Sequence, residues 1–201
     1  MCDDEKLIDD RHLERINRFT SIETGIYVEG ELLQFCETKM FDNEVGIFLP
    51  SAFMDMKPED VKRKYFSEQR PEIIKTNKDG TVNFSFSMVE REIKPEQLEP
   101  VIQEFYLVLK RFQPMSVCLE DGTELDHDVP FAWMEFISTA LDDNLFNMLI
   151  IYPVGKKLLM VMFNCPFEKR LDWSRCLDKI RNSITIYKAC NDPAGERKKN
   201  L

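Results

Sequence analysis

Glu135 is the residue whose chemistry is hardest to explain away. It lies in the apolar run 131–138, FAWMEFIS, where strand alternation sets it on the same face as Phe131, Trp133 and Ile137. A carboxylate among such neighbours can take a raised pKa or accept a partner's hydrogen bond, which makes Glu135 and Trp133 candidate ligand contacts. The ordinary alternatives are a strand-end or edge Glu, or one that meets an Arg. A second group of possible ligands is the stretch 120–128, EDGTELDHD, with Glu120, Asp121, Glu124, Asp126, His127 and Asp128. Its spacing misses the EF-hand pattern of alternating acids around a central Gly with a closing Glu, so it reads as a solvated charged turn.

Nucleophilic chemistry finds less support. His12 and His127 are the only 2 histidines, and no GxSxG elbow accompanies them. Cys165, in FNCPF, is followed by Lys169 and Arg170, which could activate an exposed thiol; the alternative is an inert strand-end Cys before a Pro. Asn83-Phe84-Ser85 matches a glycosylation acceptor but reads as strand. With no Walker loop and no GxGxxG, a nucleotide site has no basis. Phe53, Met54 and Met56 form a compact apolar group of adaptable side chains suited to receiving an apolar peptide, the alternative being core filling.

The elements that must position these residues are strands and covering helices. Three apolar runs, 131–138, 145–152 and 158–164, are separated by ALDDN and PVGKK and predict an antiparallel meander. The second and third are apolar on both faces, so each side of the sheet must be covered. Before them, residues 31–41 and 44–50 predict a hairpin about Asp42-Asn43, Pro58 opens a short helix over the sheet, and Asp79-Gly80 turns a second hairpin. Leu98, Val101, Ile102, Phe105, Val108, Leu109 and Phe112 give the stripe of a buried helix over about 95–112, with Pro100 near its start. A short strand at 117–119 follows. Asp172 is placed to cap a last helix carrying Trp173, Cys176, Leu177, Ile180 and Ile184. The sum is an α+β fold, a mainly antiparallel sheet of hairpins covered by helices. Residues 1–24 are an N-terminal segment in which 3–19 could form an amphipathic helix, 25–188 a single domain, and 189–201 a flexible polar tail.

Composition restricts the function classes. The chain has 201 residues, 43% apolar and 31% charged, with a formal charge of −9. That length suits one domain, and the negative surface repels phosphate backbones, which argues against nucleic acid as a partner. No run is long enough to cross a membrane as a helix, and the start MCDDEKLIDD lacks an apolar leader, so a cytoplasmic location is expected. The 6 cysteines are scattered without a CxxC pair, which predicts reduced thiols, those at Cys36, Cys118 and Cys176 sitting in apolar patterns.

Several phrases carry a resemblance: IFLPSAFMDM at 47–56, RPEIIKTNKDGTVNFSFSM at 70–88, FAWMEF at 131–136 and MFNCPFEKRLDW at 162–173. Together with the order of elements they resemble the PsbP-like fold shared by the Mog Ran-binding and DcrB families, and a group of bacterial intracellular proteins of about this length. The likeness spans roughly residues 30–187. It implies an α/β/α sandwich and a non-enzymatic binding module, since relatives include a nucleotide-exchange partner of a small GTPase, an extrinsic photosystem subunit and chaperones for apolar segments of secreted effectors. It supplies no residue motif to carry over, and Cys2 follows only Met1, which departs from the DcrB-type lipoproteins.

The expectation is therefore a protein- or peptide-binding module, adaptor- or chaperone-like, with no catalytic, cofactor or metal residues and no membrane insertion. The alternative is a carrier of a small apolar ligand between sheet and helices. Replacing His12 or His127 with Ala is expected to leave any activity intact; loss of a measured turnover in either variant would restore an enzymatic reading.

Overall fold

The computed structural model describes residues 20–65, 70–139 and 144–187 of the 201. The expected N-terminal helix at 3–19 and the tail at 189–201 lie outside the described residues. The first strands are β1 (Ile26–Val28), β2 (Glu31–Leu33), β3 (Phe35–Met40), β4 (Val45–Pro50) and β5 (Met54–Asp55), followed by helix α1 (Pro58–Lys64). Strands β6 (Ile73–Thr76) and β7 (Asn83–Val89) lead through a 3-10 turn at Pro95–Gln97 into α2 (Leu98–Phe112). Then come β8 (Val117–Glu124), β9 (Phe131–Thr139), β10 (Asn144–Val154), β11 (Lys157–Pro166), a second 3-10 turn, α3 (Arg170–Arg181) and β12 (Thr185–Ile186).

The meander is present and forms the middle of a fully antiparallel seven-stranded sheet, in the order β5-β6-β7-β11-β10-β9-β8. A two-residue turn with Gly155 at φ 59° joins β10 to β11. Strand β10 runs further than the apolar run predicts, through Pro153, because its pairing with β9 ends at Ile151 opposite Ala132 and a missing amide is tolerated beyond that point. The β6–β7 turn is held by the Asn77 carboxamide, which accepts the Val82 amide at 3.0 Å, with Gly80 at φ 77°.

Alternation along these strands makes two cores. On one face Phe131, Trp133, Phe146, Met148, Ile150, Phe163, Phe84 and Phe86 pack against α3, β1 and β4. On the other, Ala132, Met134, Phe136, Leu149, Ile151 and Leu158 meet Leu98, Val101 and Ile102 of α2. Each buried Leu, Ile or Phe contributes about 1.5–3 kcal/mol by leaving water, so the double-faced strands dominate the stability. Where α2 does not reach, the second face turns polar. Thr76, Asn83, Asn164 and Asn147 occupy one rung across β6, β7, β11 and β10. The Thr76 hydroxyl donates to Asn83 at 2.7 Å, Asn83 Nδ2 to Asn164 at 2.9 Å and Asn147 Nδ2 to the Ser138 hydroxyl at 2.9 Å, so these groups are satisfied in place. Asn83 is accordingly a buried strand residue.

Several expectations are corrected. Residues 31–41 are not one strand: the chain kinks at Gln34, β2 pairs with β1, and β3 joins β4 and β12 in a separate three-stranded sheet that shares with α3 the covering of one face. Helix α1 buries none of its residues; it lies beside the β6–β7 turn, where the Lys64 ammonium donates to the Gly80 carbonyl. On α2, Val108 and Phe112 are 46% and 78% exposed, because the apolar periodicity outlasts the sheet surface available to bury it. The charged turn begins later than expected, since 120–124 belong to the edge strand β8, where charge is compatible with the open side. Asp172 is not a cap: α3 starts at Arg170, after the 3-10 turn, and Ile184 is buried beyond its end. Cys36 is exposed and Cys118 half-buried, both on edge strands, whereas Cys176 is buried as expected.

Trp133 is held between a neighbouring strand and α3. Gly122 faces it across β8, where a Cβ would come within 3.0 Å of the indole nitrogen, and the Arg181 guanidinium stacks at 4.1 Å over its ring. Trp133→Ala is expected to destabilise the protein by about 3–5 kcal/mol in urea unfolding; a loss below about 1 kcal/mol would mean that the indole is not part of the core.

Candidate functional site

An open cleft of about 540 Å³ lies on one side of the molecule. It is bounded by β1 and β2, the end of β4, the turn at 77–79 and the start of α3. Val28, Leu33, Pro50, Ala52 and Phe53 supply apolar lining, and Glu29, Glu31, Lys78, Asp79 and Lys169 supply charge. Phe53 reaches it from the loop after β4, with its ring 5.9 Å from both Phe84 and Trp173, so the lining is continuous with the main core.

Glu29 fastens the wall. It sits with Gly30 in the two-residue β1–β2 turn, at φ 53°, a left-handed conformation that an unbranched but bulky side chain adopts only when its surroundings hold it. They do: the Trp173 indole N–H donates to Glu29 Oε1 at 2.9 Å and Lys169 Nζ to Oε2 at 2.7 Å. The hydrogen bond to Glu29 raises the Lys169 pKa, which keeps that ammonium charged. On the opposite rim, the Thr81 hydroxyl and amide donate to Asp79 and hold its carboxyl below the usual range. Cys165 is fully buried, and burial pushes its thiol up to about 12, which removes the thiolate a nucleophile needs.

Of the candidate contact residues Glu135, Trp133, Phe53, Met54 and Met56, only Phe53 lines this cleft. Met54 is exposed on β5 and Met56 is buried, and both line a separate hollow of about 100 Å³ beside α1, so the apolar triplet is divided, with Phe53 in the loop before β5 facing the cleft. Trp133 and Glu135 lie together elsewhere, under α3. Arg170 Nη2 approaches Glu135 Oε2 at 3.3 Å while stacking 5.5 Å from the Phe146 ring, which is the Arg-paired arrangement. Arg181 pairs with Asp178 at 2.9 Å. The side chains of 120–124 alternate between faces, with Glu120 and Glu124 beside Glu135 and Phe131 and Asp121 toward α2, where it accepts from Gln103 at 2.8 Å. Among the described residues no three His, Cys, Asp or Glu side chains come together as a metal site.

Sequence reasoning missed Glu29, Glu31, Lys78, Asp79, Lys169 and Trp173 as cleft residues. The Gly30 break between IYV and ELL signals the β1–β2 turn, but nothing local shows that it folds against α3, which lies over 130 residues later.

No protein-family model matches the chain, and no curated protein matches it. Solved structures do. The cyanobacterial PsbP (CyanoP) of Synechocystis sp. PCC 6803 superposes with a TM-score of 0.59 at 10% identity, covering 81% of this chain and 98% of that one. LpqN of Mycobacterium tuberculosis, involved in cell envelope biogenesis, gives 0.50 at 9% identity, covering 84% and 98%. The Ran-binding protein Mog1p of Saccharomyces cerevisiae gives 0.49 at 9% identity, covering 77% and 96%. The chain has the PsbP-like α+β fold, as the resemblance implied. No helix of the described residues is long and apolar enough to cross a membrane.

The Glu135 site yields a pH prediction. Burial raises the Glu135 carboxyl above its ordinary 4.5, against the opposing pull of Arg170. Between 4.5 and the raised native value, the folded state keeps a proton that the unfolded state has released, so stability falls as pH rises through that window. In Glu135→Gln the fall is expected to be shallower, with a residual slope from Asp178, whose carboxyl burial also raises. An unchanged slope in denaturant midpoints across that window would show that Glu135 is ordinarily solvated.

Proposed function

We propose that the chain is a non-enzymatic protein- or peptide-binding module and that the cleft beside Glu29 receives an apolar segment of its partner. The observation that carries this is the shape and lining of the cleft: about 540 Å³, open to solvent, apolar where it meets the core and charged at the rim. An open site of this kind suits side chains presented by a larger partner, which adds its own cover. A carrier of a small apolar ligand would enclose most of that ligand's surface, which an open cleft does not do.

The charged groups of the rim support the same reading. Lys169 and Glu29 satisfy each other at 2.7 Å, and the Lys169 pKa moves up, whereas an amine acting as base or nucleophile at neutral pH needs it moved down. In this role Glu29, Lys169 and Asp79 orient a partner's polar groups, and Phe53 and Leu33 receive its apolar side chain.

Ala52 is exposed in the cleft and outside the core, so Ala52→Arg should fill the site without disturbing the fold. Peptides selected from a random displayed library on the wild-type protein are expected to bind Ala52→Arg at least about tenfold more weakly. Equal binding to both proteins, or no selected binder at all, would rule out the cleft as the docking site.

A further inference from the structure

We propose that β3 is the seam of a symmetric homodimer, in which the β3 strands of two copies pair antiparallel about a two-fold axis at Thr38. Among the described residues β3 ends the three-stranded sheet, paired with β4 on one side only. Its six residues, Phe35 to Met40, face β4 in unbroken register from Phe35 opposite Pro50 to Met40 opposite Val45. The other sheet edges are less suited to self-pairing. Strands β5 and β12 have 2 residues each, and β1 and β2 have 3. Strand β8 is longer but is interrupted between Cys118 and Glu120 and carries Glu120, Asp121 and Glu124, so a second copy would set acid against acid.

The sequence of β3 is complementary to itself. With Thr38 opposite the second copy's Thr38, each Glu37 faces a Lys39 and each Cys36 faces a Met40. Both charged side chains are exposed and lie on the outer face of the sheet, where Glu37 accepts from the Tyr187 hydroxyl and Lys39 lies 4.6 Å from the Tyr187 ring centre. Opposite charges across an antiparallel pair favour that register, and two such pairs form at once because the axis repeats them.

The backbone is turned the right way for this pairing. Phe48, the partner of Glu37 across β4, donates its amide to the Ser183 hydroxyl at 3.0 Å, away from β3. Glu37 and Phe48 are therefore not a hydrogen-bonded pair. By the alternation of an antiparallel ladder, Glu37 and Lys39 then turn their own N–H and C=O groups to the open edge. In the dimer these groups bond each other, Glu37 to Lys39 and Lys39 to Glu37. Thr38 becomes a non-bonded pair with its symmetry mate, with Cα atoms about 4.5 Å apart. The result is a continuous six-stranded sheet, β12-β4-β3 joined to the same three strands of the second copy.

The test uses the full chain in sedimentation equilibrium at concentrations up to about 100 μM, the range a small interface populates. A monomer–dimer equilibrium is expected. Glu37→Lys and Lys39→Glu should each weaken it about tenfold, by setting like charges opposite, and the double exchange Glu37→Lys/Lys39→Glu should restore it. Thr38→Cys, in a Cys36→Ser background, should form a disulfide-linked dimer under mild oxidant beyond that of Cys36→Ser alone, since the separation lies within disulfide reach. A monomer throughout that range, a dimer indifferent to both single reversals, a double exchange without recovery, or no additional cross-link would each overturn the proposal. Circular dichroism of each variant separates a lost dimer from a lost fold.

Discussion

Strands β10 and β11 carry apolar side chains on both faces, and burying only one face would leave the other in water at a cost of several Leu- or Phe-sized transfers. The rest of the chain answers that constraint. Helix α2 covers one face at Ala132, Met134, Leu149 and Ile151, and α3 with the three-stranded sheet covers the other at Phe131, Phe146, Ile150 and Phe163. The covering is unequal, and the difference is visible in composition. Beyond the reach of α2 the sheet switches to Thr76, Asn83, Asn164 and Asn147, the first three bonded side to side and Asn147 satisfied by Ser138.

Helix α3 links stability to the cleft. Its buried side, Trp173, Cys176, Leu177 and Ile180, is fixed by the core, and this fixes where its first turn places charge. Lys169, just before the helix, and Trp173 within it turn to Glu29, while Arg170 turns to Glu135. A cleft wall fastened to a core helix by an ion pair and an indole hydrogen bond is a rigid one, which lowers the ordering cost of binding a partner. The strained backbone at Glu29 is maintained by those same two contacts.

The sheet edges show the opposite use of charge. Strand β8 combines acids with an irregular register and so resists a second strand, whereas β3 alternates Glu37 and Lys39 and can accept its own copy. The three open sheets end in six edge strands among the described residues, and how each is treated determines which surfaces remain for association.

The apolar runs and turn residues by themselves determined the meander, the hairpin at Asp79-Gly80, the helix near Pro95–Phe112 and the two-faced burial, because these follow from local periodicity and from turn chemistry at single residues. The PsbP-like fold was legible from the same order of elements. The site was not. Phe53 was chosen for its residue type, but the loop before β5 sets it in the cleft while Met54 and Met56 line the hollow beside α1, and the partner of Glu135 could be anticipated as an Arg without showing which one. Glu29 and Lys169 are 140 positions apart, and no pattern in either segment encodes their meeting. Only the closing of α3 over the sheet, driven by burial of Trp173 and its neighbours, brought those charges to one cleft.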